Sequence, residues 1–190
     1  MNRRKFISSG AAIAASIGLG STMFSASSEP AFRKSKTALA VEQEWRELLP
    51  KDYSESLSLT PIELSEREWK ERLSSAAFEV LRDEETERPH SSALNKEHRE
   101  GIYACEGCDL PLFTSAMKFE SGTGWPSFIT HIPEHLATKT DYKMIWPRTE
   151  YHCVRCGGHQ GHVFDDGPKP TGQRWCNNGV ALKFIAMQSS

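Results

Sequence analysis

The chain has 190 residues, with 23 Lys and Arg against 25 Asp and Glu, a length that suits one domain with an extension. Residues 1–40 hold six of the basic residues and one of the acidic ones, so the remainder carries 17 basic against 24 acidic, a formal charge near −7 instead of −2. That balance argues against a nucleic-acid-binding module, which needs clustered positive charge.

Met1-Asn-Arg-Arg-Lys-Phe-Ile7 is basic and is followed by a weakly apolar run, Ser8 to Phe24, rich in Ala, Gly and Ser. The run is a poor membrane anchor, where about 20 strongly apolar residues are expected. It reads as a cleavable export signal, and Arg3-Arg4 resembles the twin-arginine type. Cleavage fits Ala38-Leu39-Ala40 or the region of Ser25-Ala26-Ser27. Residues 1–40 are therefore set apart from the fold, with an extension at 41–63 and the main domain at 64–187.

Glu42 to Leu49 reads as a short amphipathic helix ended by Pro50, followed by a Ser-rich linker. Leu64-Ser-Glu-Arg-Glu-Trp69 then carries a capping box, Ser65 with Glu68, and a hydrophobic staple, Leu64 with Trp69. Trp69, Leu73, Ala77 and Leu81 recur at helical spacing and predict one helix near 66–82. The charged turn from Asp83 to Pro89 shows no sign of chemistry.

From Gly101 the pattern turns to short apolar runs separated by Gly, Pro and Asp. They are Ile102–Cys105, Leu110–Phe113, Tyr142–Trp146, His152–Val154, His162–Phe164 and Val180–Ile185. Several alternate with period two, as in Val180–Ile185, where Lys183 would face water. The expected class is mainly β, with antiparallel strands.

Four of the five cysteines form two C-x-x-C knuckles, Cys105/Cys108 and Cys153/Cys156. Two intervening residues let both sulfurs face one ion, and Gly107 and Gly157 would let the backbone curl around it. Four thiolates suit tetrahedral Zn²⁺ in a closed, structural site. Two disulfides are the competing reading, since an exported protein meets an oxidising compartment. Twin-arginine export carries folded proteins, which would allow metal loading beforehand.

Three segments remain. In Ser121-Gly-Thr-Gly-Trp-Pro-Ser-Phe128, the glycines permit positive φ and Trp125 is either a core plug or a pocket wall; read alone, it fits the core better. His159 and His162 are ligands, surface residues or an acid–base pair. Cys176 has Arg174 and Asn178 two residues away on either side, hence on its own face if the segment is a strand. A lone cysteine is more often a small buried apolar residue, but histidines, an arginine and an asparagine are the groups that stabilise a thiolate and donate protons.

The order C-x-x-C, G-T-G-W-P-S-F, C-x-x-C, H-x-x-H-V-F-D-D-G-P and R-x-C-x-N-x-x-x-L-x-F, from about Leu64 to Phe184, resembles the B-type methionine sulfoxide reductases. The resemblance implies two small antiparallel sheets with short N-terminal helices and one structural Cys₄ zinc. It implies an enzyme that reduces methionine R-sulfoxide, mainly protein-bound, through a Cys176 sulfenic acid. His162, assisted by His159, would supply the proton, and Asn178 would hold polar groups. Arg174 would lower the Cys176 pKa, Asp166 would fix the His162 ring, and Trp125, with Phe164, would wall the S-methyl slot. Thr123 stands where many members place a resolving cysteine, so an outside thiol or a thioredoxin- or glutaredoxin-like protein is the expected reductant. The expected setting is repair of oxidised proteins in a bacterial periplasm, by a monomer. Two rivals stand beside this reading: a zinc-ribbon binding module without chemistry, and a redox sensor that uses Cys176 oxidation as a signal.

Overall fold

The computed structural model describes residues 45–49, 53, 57–143 and 146–187. The predicted leader and the first three residues (42–44) of the predicted 42–49 helix lie outside them; Trp45–Leu48 forms a 3₁₀ turn. Among the described residues no helix is long and apolar enough to cross a membrane.

Two short helices, α1 (Glu66–Arg72) and α2 (Ser75–Asp83), occupy the region where one helix was expected. The capping box forms as predicted, with the Glu68 carboxylate accepting from the Ser65 N–H at 2.7 Å. The break comes at Leu73, whose backbone is extended, and Ser74, whose hydroxyl accepts from the Ala77 N–H at 3.2 Å and caps α2. Serine favours such a cap over a helix interior because its oxygen satisfies a free backbone donor. The apolar spacing survives the break, so Trp69, Leu73, Ala77 and Leu81 are all buried.

Among the described residues nine strands follow: β1 (Gly101–Cys105), β2 (Pro111–Thr114), β3 (Lys118–Phe119), β4 (Ser127–Phe128), β5 (Leu136–Asp141), β6 (Arg148–Cys153), β7 (His159–Phe164), β8 (Arg174–Asn177) and β9 (Leu182–Ala186). They make two antiparallel sheets, one of order β2-β1-β9 and one of order β3-β4-β8-β7-β6-β5. An aromatic seam joins them. Phe113 of the first sheet stacks on Phe128 of the second with centroids 4.0 Å apart, and Tyr103, Tyr151 and Trp175 extend the contact edge-to-face. Such large, directional side chains bury much area where the two sheets meet, beside the aliphatic core of Leu81, Ile102, Leu110, Leu112 and Ile132. The expected mainly β architecture is the one observed.

Of the run Tyr142–Trp146, the described residues Tyr142, Lys143 and Trp146 lie between β5 and β6 outside any strand, and Tyr142 and Trp146 are 76% and 79% exposed. Its aromatic content imitated a strand, whereas polar Leu136–Asp141 beside it, pairing along its whole length with β6, is one. Lys183 is half-buried and ion-paired with Asp109.

Candidate active site

The four knuckle cysteines are buried, and their sulfurs lie within 4.8 Å of one another. The near pairs run across the knuckles, Cys105 to Cys156 at 3.6 Å and Cys108 to Cys153 at 3.5 Å. A thiolate tetrahedron with bonds of about 2.3 Å has edges of roughly 3.8 Å, so the set fits one metal ion. It does not fit two bridges, which need about 2.05 Å between bonded sulfurs. The knuckle turns differ from expectation in one residue. Gly157 takes the left-handed conformation (φ 67°), but its counterpart is Asp109 (φ 64°), not Gly107. Each donates its N–H to the first cysteine's carbonyl, Gly157 to Cys153 and Asp109 to Cys105, both at 2.9 Å. Gly107 is needed for room instead: a Cβ there would lie 3.3 Å from the Cys156 sulfur. Helix α2 covers the cluster, and Arg82 donates to the Cys156 carbonyl at 2.8 Å.

Cys176 lies elsewhere, on β8, with His162 directly opposite on β7 and Ser127 opposite on β4. Antiparallel partners hold their Cβ atoms about 4.5–5.5 Å apart. A Cβ on Gly161 would meet the Cys176 carbonyl oxygen at 1.9 Å, so only glycine allows β7 to come this close to the cysteine's backbone. Three residues apart on a regular strand, His159 and His162 would face opposite sides. Here Gly161 pairs with Tyr151 but His159 pairs with His152, which leaves Gln160 as the extra residue of a β-bulge. The bulge re-aims the strand and brings both imidazoles together, with ring centroids 5.3 Å apart.

Each histidine has its own carboxylate. His162 Nε2 lies 2.8 Å from Asp141 Oδ2, and His159 Nδ1 lies 2.9 Å from Glu150 Oε1. Ionised carboxylates only accept, so these nitrogens carry the hydrogens. Asp141 also accepts from the Lys143 N–H at 2.8 Å and from Arg148 at 2.7 Å. The Lys143 N–H, with His162 and Arg148, holds its carboxyl far below the usual range. Burial pushes His159 down to about 4 and lowers His162 below its ordinary 6.5, although Asp141 pulls His162 back up. Replacing Asp141 by asparagine removes that upward pull. The acid limb of the rate profile is expected to move to lower pH, with kcat down about 10–100-fold, of the order expected for disturbed proton transfer. A pH–rate series on the variant checks both.

The Cys176 thiol is raised above its ordinary 9.0 by burial, which outweighs the downward pull of Arg174 and of the Thr123 hydroxyl. Arg174 therefore acts in the expected direction without winning. Its charge is shared: the guanidinium makes a two-pronged pair with Asp166 (2.8 and 3.0 Å) and lies 4.3 Å over the Phe164 ring. Asp166 is thus the partner of Arg174; the ring-fixing role expected of it belongs to Asp141.

A cleft of about 450 Å³, including space open to solvent, is lined by Thr86, Trp125, His162, Phe164, Cys176 and Asn178, with Arg148, Gly161 and Asn177 completing it. Trp125 is half-buried at its wall rather than lost in the core, and its indole N–H donates to the Glu87 carbonyl at 3.1 Å. Asn178 uses its side chain on backbone, accepting from the Glu87 N–H and donating to the Gln160 carbonyl.

The 83–89 turn, apparently inert in sequence, is a buttress. The Glu87 carboxylate accepts from the N–H groups of Gly179 (2.6 Å) and Val180 (3.0 Å), just past Asn178. Asp141, Glu150, Arg148, Thr86 and Glu87 escaped the sequence reading. A strand signal at Thr149-Glu-Tyr-His with an inward Glu150 was the one available clue.

The SelR domain family matches residues 73–186. The chain is 48% identical over 124 residues to the peptide methionine sulfoxide reductase MsrB of Methanosarcina barkeri, covering 65% of this chain and 87% of that protein. It is 48% identical over 124 residues to that of Pseudomonas entomophila, covering 64% and 93%. It is 46% identical over 128 residues to the chloroplastic peptide methionine sulfoxide reductase B1 of Arabidopsis thaliana, with 67% of this chain and 63% of that protein covered. Motif order, fold and these likenesses converge: the chain belongs to the SelR-domain family of B-type methionine sulfoxide reductases.

Proposed function

We propose that this chain reduces the R epimer of methionine sulfoxide, mainly in proteins, with Cys176 as nucleophile and an external thiol as reductant. One observation carries the reading. The single cysteine outside the metal cluster faces His162 across β7 and β8, in a cleft walled by Trp125 and Phe164. Substrate-free, the pair is a neutral thiol beside a neutral imidazole. With Nε2–H engaged by Asp141, the remaining nitrogen of His162, Nδ1, takes the thiol proton as sulfur attacks the sulfoxide. The imidazolium, stabilised by the Asp141 carboxylate, passes that proton to the oxygen. The S–O bond to the substrate breaks and one forms to Cys176, so thiol plus sulfoxide gives sulfenic acid plus sulfide, with no net proton change. Two external thiols then return Cys176 to the thiol, leaving a disulfide and water.

The Cys₄ set favours Zn²⁺, which when bound would cross-link the β1–β2 turn to the β6–β7 turn and leave no open position for chemistry. The Arg3-Arg4 leader and its weakly apolar run support export to a periplasm, where exported proteins meet oxidants. Thr123 reaches the nucleophile but brings no thiol. One turnover without reductant is therefore expected to leave a 16 Da adduct on the Cys176 peptide, trappable by dimedone. An internal disulfide to a knuckle cysteine, found by peptide mapping, would refute the external-reductant part.

A further inference from the structure

Gln160 sits in sequence between the two histidines. Fully buried, this bulged residue turns its side chain toward the cysteine cluster, where Nε2 donates to the Cys105 sulfur at 3.3 Å. Its Oε1 accepts from Asn177 Nδ2 at 3.2 Å. Asn177, also fully buried, accepts from the Tyr151 hydroxyl at 2.9 Å and donates to the Asn178 carbonyl at 2.8 Å. The Gln160 carbonyl receives both the N–H and the Nδ2 of Asn178, at 2.9 and 3.0 Å. The Gln160 side-chain amide therefore spans from a cluster cysteine to Asn177, and its backbone carbonyl holds Asn178, the two residues that follow Cys176.

A buried primary amide is costly unless both ends are paired, and apolar residues would fill the same bulge without that cost. What the amide adds is direction. A metal-bound thiolate is a charged acceptor and fixes the NH₂ end, which leaves the oxygen facing Asn177. We propose that Gln160 is a positioning residue linking occupancy of the Cys₄ centre to the placement of Cys176. The inference rests on the reductase reading for its kinetic arm only.

The test compares metal-loaded wild type, Gln160→Met, which keeps the volume, and Gln160→Glu, which keeps the acceptor for Asn177 but sets a negative charge against the thiolate. Three quantities are followed: metal release to a chromophoric chelator, iodoacetamide alkylation of Cys176 at fixed pH, and kcat and KM on methionine R-sulfoxide. Metal release is expected to quicken about 10-fold in Gln160→Met, as for outer ligands generally, and more in Gln160→Glu. The Cys176 alkylation rate should change, and kcat should fall several-fold with KM within twofold. Faster metal release with unchanged alkylation and kcat would overturn the link, as would unchanged release in both variants. Should wild type turn over no sulfoxide, the reductase reading falls, while release and alkylation still decide the link.

Discussion

Cys176→Ser is expected to reduce turnover of methionine R-sulfoxide to background, a loss of at least roughly 10⁴-fold. The reason is chemical rather than steric. Serine oxygen cannot accept the sulfoxide oxygen as sulfur does, so no sulfenic acid forms and the S–O bond to substrate is not cleaved. The fold should tolerate the change, since the side chain is half-buried and the hydroxyl can keep company with Arg174 and Thr123. The melting temperature is expected within a few degrees of wild type, corresponding to less than about 1 kcal/mol. Steady-state assay under excess dithiol, alongside calorimetry, checks both statements. Residual turnover above about 1% of wild type would place the nucleophile elsewhere.

The second large effect concerns folding. Cys153→Ser removes one corner of the cluster, and strong chelation removes the whole centre. Structural zinc contributes about 10–16 kcal/mol of apparent binding free energy in small domains, whereas a domain's net stability is only about 5–15 kcal/mol. Loss of the metal therefore removes free energy comparable to the domain's whole net stability. The variant is expected to lack cooperative unfolding and native near-ultraviolet circular dichroism at 25 °C, and activity falls as a consequence. Metal restored to the chelated wild type should recover both, while Cys153→Ser should not. A variant that melts cooperatively near wild type would show that the aromatic seam of Phe113, Phe128 and Tyr151 holds the domain alone.

The contrast between what could be read from the chain and what could not follows physical lines. The knuckles, the Ser65 cap and the short apolar run Ile102–Cys105 are local patterns, and local rules govern them. Cys176 facing His162 was foreshadowed by motif order, but the meeting of His159 with His162 depends on a bulge at Gln160 that no periodicity announces. The carboxylates behind the histidines were invisible for a similar reason. Asp141 and Glu150 lie 21 and 9 residues before the rings they hold, and their assignment requires strand pairing. Asp166 was misassigned because closeness in sequence favoured His162, whereas a guanidinium offers a carboxylate two parallel donors and wins it. Glu87 shows the limit most plainly. Its turn is featureless as sequence, yet the chain folds back over 90 residues to make it the anchor of Asn178 and Gly179.

The most direct test of the account is a single comparison on the metal-loaded protein under excess dithiol. Stereochemically defined R- and S-sulfoxides of methionine in a peptide are supplied separately, and sulfide formation is followed by mass spectrometry. The account predicts consumption of the R epimer alone, with the oxidised intermediate found on Cys176. Equal consumption of both epimers, preference for S, or no turnover by folded protein with its metal in place would contradict it.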